Sequence, residues 1–298
     1  MRSAVSSSSR QREAELSAAA NGSPSYLDRL GRRIEAVGTT LCVGIDPEIS
    51  TLPAGFTPDV SGIETFCRLL IDATSGHAAA YKANLAFFEA FGSAGIAALE
   101  RIRGNIPADI PFVADAKRGD IGTTAARQAV ALFDVLGADA VTVSPYLGRE
   151  AIEPLISRDD RCAYVLCRTS NAGAGEFQGL PVDGDPLYVH VARHVAEWST
   201  TGARVGLVVG ATAPQEMERI RSVAPTLAFL VPGVGAQGGE VAPVLRHGPV
   251  TAGESQPLRG GGLLVNVSRG IASAALQSQD PGGALFAAAE RWAQLLRC

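Results

Sequence analysis

A single (β/α)8 barrel with an N-terminal extension is the fold class the sequence predicts, on three observations. Short β-branched apolar runs alternate with longer segments of helical period, the pattern of repeated βα units around a parallel sheet. There are eight such runs, the number that closes a barrel. The chain has 298 residues, enough for the roughly 250 that such a barrel uses. Residues 1–25 are expected to be a mobile tail and residues 26–298 the barrel.

The tail is rich in Ser and Ala and has no apolar stretch of the kind a secretory signal needs, while Glu13 and Glu15 argue against a transit peptide. Tyr26 to Val37 (YLDRLGRRIEAV) has amphipathic spacing and suits a helix that plugs the N-terminal mouth of the barrel. The eight strand candidates follow in order: Leu41 to Asp46, Ala79 to Asn84, Phe112 to Lys117, Asp139 to Ser144, Ala163 to Thr169, Val205 to Ala211, Leu227 to Gly233 and Leu263 to Ser268. Between them, sets such as Ile63, Phe66, Leu69 and Leu70, or Leu285, Ala288, Ala289 and Trp292, lay one apolar stripe against a sheet. Two connections exceed what packing requires, Asn171 to Pro186 and His247 to Gly262. Both follow late strands, on the face where barrels carry their active sites, so both are expected to be functional or flexible loops.

Composition removes several classes of function. An apolar fraction of 46%, a charged fraction of 19% and a net charge of -4 fit neither a disordered chain nor a basic nucleic-acid binder. No apolar run approaches the roughly 18 residues that span a bilayer, so no membrane partner is expected. Cys42, Cys67, Cys162, Cys167 and Cys298 are an odd set without a CxxC pair, which suits reduced thiols in a cytoplasm. His190 and His194 are read as surface or packing residues, and Trp198 and Trp292 as helix packing. Cys162 and Cys167, five apart on a strand, face opposite sides and do not suit a shared metal.

Chemistry is expected where charge interrupts buried strands. Asp46 closes the first strand, Lys82 the second, and Asp115 and Lys117 the third. Parallel strands buried on both faces should be nearly continuous Val, Ile and Leu, so an ionisable group there carries a desolvation cost unless it is paired or working. In FVADAKRGDIGTTA, strand alternation turns Asp115 and Lys117 to one face, while Asp120 lies just past the strand. With Lys82 these residues form a candidate array of two lysines and two aspartates that hold one another charged.

The string Asp115, Lys117, Asp120, Ile121, Gly122, Thr124 (D-x-K-x-x-D-I-G-x-T) resembles the signature of the orotidine 5'-phosphate decarboxylase family, in the wording of its longer-chain bacterial subgroup. LCVGIDPE, YKANLAFFE, SPYLG, TSNAGA, VPGVGAQGG and NVSRGI fall in family order from Leu41 onward. The resemblance implies decarboxylation of orotidine 5'-monophosphate to uridine 5'-monophosphate in pyrimidine synthesis, without a cofactor or metal. It implies that Asp46 binds the ribose hydroxyls, that Lys82 joins the array, that Asp115 faces the substrate carboxylate, and that Lys117 protonates the ring carbon. It further implies that Asp120, Ile121 and Thr124 reach into the partner's site in a homodimer, that Ser170 reads the pyrimidine amide edge, and that Gln237 and Arg269 grip the phosphate.

Gly233, Gly235 and Gly238 satisfy the G-x-G-x-x-G pattern of a dinucleotide turn. Too little chain remains for a Rossmann domain, so these residues are read as the loop after the seventh barrel strand, with Gly235 and Gly238 amides near the phosphate. Related magnesium-dependent barrels that act on phosphorylated sugars also carry Asp-x-Lys-x-x-Asp, but Lys82 with TSNAGA and GAQGG suits a nucleotide. A non-catalytic nucleotide sensor on the same barrel should lack an intact array.

Overall fold

The computed structural model describes residues 24–200, 204–235, 237–251 and 259–298. The expected tail, apart from its last two residues, lies outside them, as does the middle of the His247 to Gly262 connection. Ten strands are described: β1 (Leu41–Gly44), β2 (Ala80–Asn84), β3 (Phe112–Arg118), β4 (Ala140–Val143), β5 (Cys162–Arg168), β6 (Pro181–Val182), β7 (Asp185–Pro186), β8 (Val205–Val209), β9 (Ala228–Val231) and β10 (Leu263–Val267). Eight of them close an all-parallel barrel in the order β1-β2-β3-β4-β5-β8-β9-β10, with β10 returning to β1. All eight expected strands are present within a residue or two at each end.

Helices α2 (Val60–Thr74), α3 (Gly92–Asn105), α4 (Gly122–Ala129), α5 (Glu153–Ile156), α6 (Leu187–Thr200), α7 (Pro214–Val223), α8 (Val241–His247) and α9 (Pro281–Leu295) follow the barrel strands in turn. Outward-facing strand positions such as Val43, Tyr81, Phe112, Leu207 and Phe229 join the apolar faces of these helices in one continuous buried layer. Inward-facing positions, among them Cys42, Val113, Tyr164 and Leu264, make a second cluster inside the barrel. Cys162 belongs to the inner cluster and Cys167 to the outer, as strand alternation requires.

The helix α1 (Tyr26–Val37) begins at a capping box in which Ser25 and Asp28 exchange hydrogen bonds, and it ends at Gly38 in the left-handed region. Its Tyr26, Leu30 and Ile34 enter the inner cluster from below, and the Tyr26 hydroxyl lies 3.2 Å from that of Tyr164. The expected plug is therefore real. Its polar face is fastened by arginines. Arg33 donates to the Ala78 carbonyl and pairs with Asp109 at 2.8 Å, while Arg29 pairs with Asp139 at 2.5 Å.

Asp139 is the hub of this end of the barrel. Its side chain, 6% exposed, also meets Arg161 at 3.3 Å and Arg103 at 3.4 Å, and it accepts the Phe112 N–H at 2.8 Å.

The Asn171 to Pro186 connection, expected to be functional or flexible, has structure of its own. A 3-10 turn over Ala172–Glu176 leads to the hairpin β6–β7, whose two-residue turn, Asp183 and Gly184, has φ values of 46° and 87°. Asp-Gly between paired strands is the turn that tolerates positive φ at both central positions, so the signal was in the sequence.

Asp139→Ala leaves three arginines around a missing carboxylate, and the expected loss is about 3–5 kcal/mol of stability, read from urea unfolding monitored by circular dichroism.

Candidate active site

A cavity of about 860 Å³ opens at the C-terminal ends of the barrel strands. Lys82, Asp115 and Thr142 make one side of its lining, and apolar Leu166, Val208 and Leu230 the other. Charge and apolar surface thus divide the cavity between β2–β4 and β5–β9.

Asp115 joins two cations. Its Oδ2 accepts from Lys82 Nζ at 2.9 Å and its Oδ1 from Lys117 Nζ at 2.7 Å. Lys82 is nearly enclosed, with 5% of its side chain exposed, whereas Lys117 reaches into the open cavity. Burial works against both charges of the Lys82–Asp115 pair, but it is outweighed. Asp46 and Asp115 hold the Lys82 ammonium above the usual lysine range, and Lys82 and Lys117 hold the Asp115 carboxyl well below the usual carboxylate range. Both groups are therefore ionised at neutral pH.

Lys117 reaches this position by an irregularity that strand alternation did not foresee. Ala114 pairs with Val141 and Arg118 with Val143, so four steps along β3 answer two along β4, and Asp115, Ala116 and Lys117 bulge from the ladder. Lys117 has φ 48°, in the left-handed region that costs a non-glycine residue about 1–3 kcal/mol. Its N–H donates to Thr142 Oγ1 at 3.0 Å, and that hydroxyl donates to Asp115 Oδ1 at 2.7 Å.

Asp46, past the end of β1, lines the cavity and accepts the Asn84 N–H at 2.9 Å. On the opposite side Ser170 Oγ donates to Gln237 Oε1 at 2.7 Å, and both residues line the cavity with Arg269. Gly233, φ 97°, lets the loop after β9 come this close, because a Cβ there would lie 2.8 Å from Gln237 Oε1 and 3.0 Å from Ser170 Cβ.

Three expectations meet the geometry differently. Gly235 and Gly238 do not line the cavity, and their amides are used within their own loop, donating to Gly239 O at 2.9 Å and Gly235 O at 2.8 Å. Gly233 and Gly270 are the glycines at the cavity wall. Asp120 does not join the array within one chain; its Oδ1 accepts the Ile121 N–H at 2.7 Å, and neither Ile121, 61% exposed, nor Thr124 lines the cavity. Finally, Trp292 packs as expected, but behind the site, where its Nε1 donates to Gly270 O at 3.1 Å and its ring abuts Gly235.

Sequence reading missed Thr142, Asn84 and Gln178 as cavity residues. Gln178 holds the loop after β5 in shape, accepting the Thr169 N–H at 2.9 Å and donating to its hydroxyl at 2.8 Å. A polar residue inside the apolar run AVTV was the available signal for Thr142.

An eight-stranded barrel with a lysine-aspartate-lysine array at the C-terminal mouth defines a class of barrel enzyme, and the comparisons identify it. Residues 39–281 match the model of the orotidine 5'-phosphate decarboxylase / HUMPS family. The chain belongs to that family. It is 46% identical over 249 residues to the orotidine 5'-phosphate decarboxylase of Thermomicrobium roseum, covering 83% of this chain and 86% of that protein. With the enzyme of the same name from Roseiflexus castenholzii the identity is 47% over 255 residues, covering 85% and 88%. Among solved structures, the OMP decarboxylase of Leishmania donovani superposes with a TM-score of 0.76 at 40% identity, over 91% of this chain and 98% of that one. The UMP synthase of the same organism gives 0.80 at 41%, over 92% of this chain but 56% of that longer one.

The charge assignments fix the pH range of the array. Asp115, with a lowered pKa, contributes stability above the unfolded carboxylate value near 3.9, and this is lost as pH falls further. Lys82, with a raised pKa, contributes below the unfolded lysine value near 10.4, and this is lost as pH rises further. The stability difference between wild type and Lys82→Met, from urea unfolding at a series of pH values, should be flat from about pH 5 to 9 and change on either side.

Proposed function

We propose that residues 26–298 form a catalytic barrel in which Lys82, Asp115 and Lys117 carry out the family reaction. The chain decarboxylates orotidine 5'-monophosphate to uridine 5'-monophosphate and carbon dioxide, a step of pyrimidine biosynthesis. The observation that carries the residue assignment is the Asp115 carboxylate held between two ammonium groups at the mouth of the barrel, with Lys117 the member that faces the cavity.

In this reading the bond between the ring carbon and the carboxylate breaks, its electron pair stays on the ring, and carbon dioxide leaves. Lys117 stabilises the developing carbanion as a preplaced cation and then delivers its proton to that carbon, regaining one from solvent. Asp115, beside the departing carboxylate, sets like charges together in the bound substrate, a repulsion relieved as carbon dioxide departs. Asp46 takes the ribose hydroxyls, Ser170 the pyrimidine amide edge, and Gln237 with Arg269 the phosphate. The separation of Asp46 from the Ser170–Gln237 side across the cavity suits an extended nucleotide. Because ammonium groups hold both oxygens of Asp115, that carboxylate suits an anionic substrate better than a divalent cation, which favours the nucleotide over the magnesium-dependent sugar phosphate reading.

Asp120, Ile121 and Thr124 act in the partner's site of a homodimer. Support comes from their position outside the chain's own cavity and from Tyr146 and Leu147, 84% and 52% exposed in the loop after β4, whose Ala151 carbonyl takes the Asp120 N–H. Five unpaired cysteines support residence in the reducing cytoplasm.

Turnover is followed by the fall in ultraviolet absorbance of orotidine 5'-monophosphate with chelator present, and no turnover would overturn the reading. Lys117→Ala should be folded, bind a uridine monophosphate analogue, and lose more than about nine-tenths of its rate. Mixed with inactive Asp120→Ala under conditions that exchange subunits, it should regain activity, since one site of each heterodimer is whole; no recovery after mass spectrometry shows exchange would return Asp120 to its own subunit.

Arg269→Ala should lower kcat/KM for the nucleotide by about 1.5–3 kcal/mol and leave the nucleoside almost unaffected. Equal losses on both substrates would remove Arg269 from the phosphate.

A further inference from the structure

We infer that Thr142 is a positioning residue of the array: its side-chain hydroxyl sets the backbone of Lys117 and holds the Asp115 carboxylate while Lys117 gives up its proton. The inference rests on the proposed role of Lys117 and adds a residue that neither the motif nor the charged strand ends point to.

Thr142 lies at the middle of β4, is 1% exposed, and lines the cavity directly opposite the bulge in β3. Its hydroxyl both donates and accepts. The proton goes to Asp115 Oδ1 at 2.7 Å, and a lone pair receives the Lys117 N–H at 3.0 Å. A hydroxyl therefore takes the place of the backbone acceptor that the ladder loses where the pairing slips. With that bond gone, the Lys117 amide would lose its acceptor, and little would hold Lys117 at its positive φ.

The second bond matters during the reaction. Asp115 Oδ1 has two donors, the Lys117 ammonium and the Thr142 hydroxyl, whereas Oδ2 has Lys82. When the proton passes from Lys117 Nζ to the ring carbon, the lysine becomes a neutral amine and its attraction for Oδ1 weakens. The hydroxyl carries no charge that the reaction changes. It keeps Oδ1 oriented, and with it the place to which the lysine must return.

Two variants separate the hydroxyl from the shape of the side chain. Thr142→Val keeps the branched outline and removes the hydroxyl; Thr142→Ser keeps the hydroxyl and removes a methyl group. In steady-state decarboxylation, Thr142→Val is expected to lower kcat about 10- to 100-fold, the loss of one hydrogen bond to a charged group, with KM changed less than about threefold. Thr142→Ser is expected to stay within about threefold of wild type in kcat, and both should bind uridine monophosphate like wild type in calorimetry. Thr142→Val at wild-type kcat overturns the inference. So does Thr142→Ser falling as far as Thr142→Val, which would assign the site to packing, and so does a Thr142→Val that fails to fold while Thr142→Ser also loses its rate. A wild-type protein without turnover overturns the proposed function, and this inference with it.

Discussion

A carboxylate enclosed at the mouth of a barrel has to be neutralised, and the structure around Asp115 follows from that requirement. One ammonium comes from the neighbouring strand through Lys82, in regular register. The other must come from the same strand, two residues on, and a flat ladder would carry its backbone past the site. The bulge in β3 solves this by looping Lys117 back so that its Nζ meets Oδ1. Thr142 then occupies the gap the bulge opens. The charged side of the cavity is thus one connected object built from three adjacent strands.

The apolar side has a different logic. Leu166, Val208 and Leu230 continue the inner packing of β5, β8 and β9 up to the cavity, so this wall is the top of the core. The cavity thus lies between a charged wall and an apolar one, so the field across it is uneven. The polar loops beyond it, fixed by Gln178 after β5 and braced by Trp292 behind β9 and β10, hold the outer contacts at a set distance from the array.

Much of this was legible in the sequence because barrel strands obey simple rules. Eight apolar runs gave the barrel, and a charge at the end of a run gave Asp46, Lys82, Asp115 and Lys117. The alternation argument brought Asp115 and Lys117 together for a reason that is only partly right, since their meeting depends on a bulge for which DAK carries no separate signal. Thr142 was passed over because threonine is an ordinary strand former, so its hydroxyl did not stand out as a charge does. Gly235 and Gly238 lie off the cavity lining, because a glycine pattern shows where the backbone turns and leaves open where its amides point. Asp120 could not be positioned from one chain's strands, as it lies in the turn after β3, outside the lining of the cavity. The Asp-Gly hairpin in the long loop after β5 was readable and was not read.

The residues ahead of β1 and those at the end of α9 are tied together at the floor of the barrel. Thr39 and Thr40 hydroxyls and the Thr40 amide all converge on the Leu296 carbonyl, Thr39 bridges to Arg297, and β1 is closed by β10. The plug α1, which precedes every barrel strand, seats against strands that include β9 and β10. A growing chain therefore carries α1 and an open-edged sheet without their final partners until β10 emerges. Unpaired strand edges invite pairing with other chains, so synthesis of the barrel has a vulnerable interval that lasts until β10 can pair with β1.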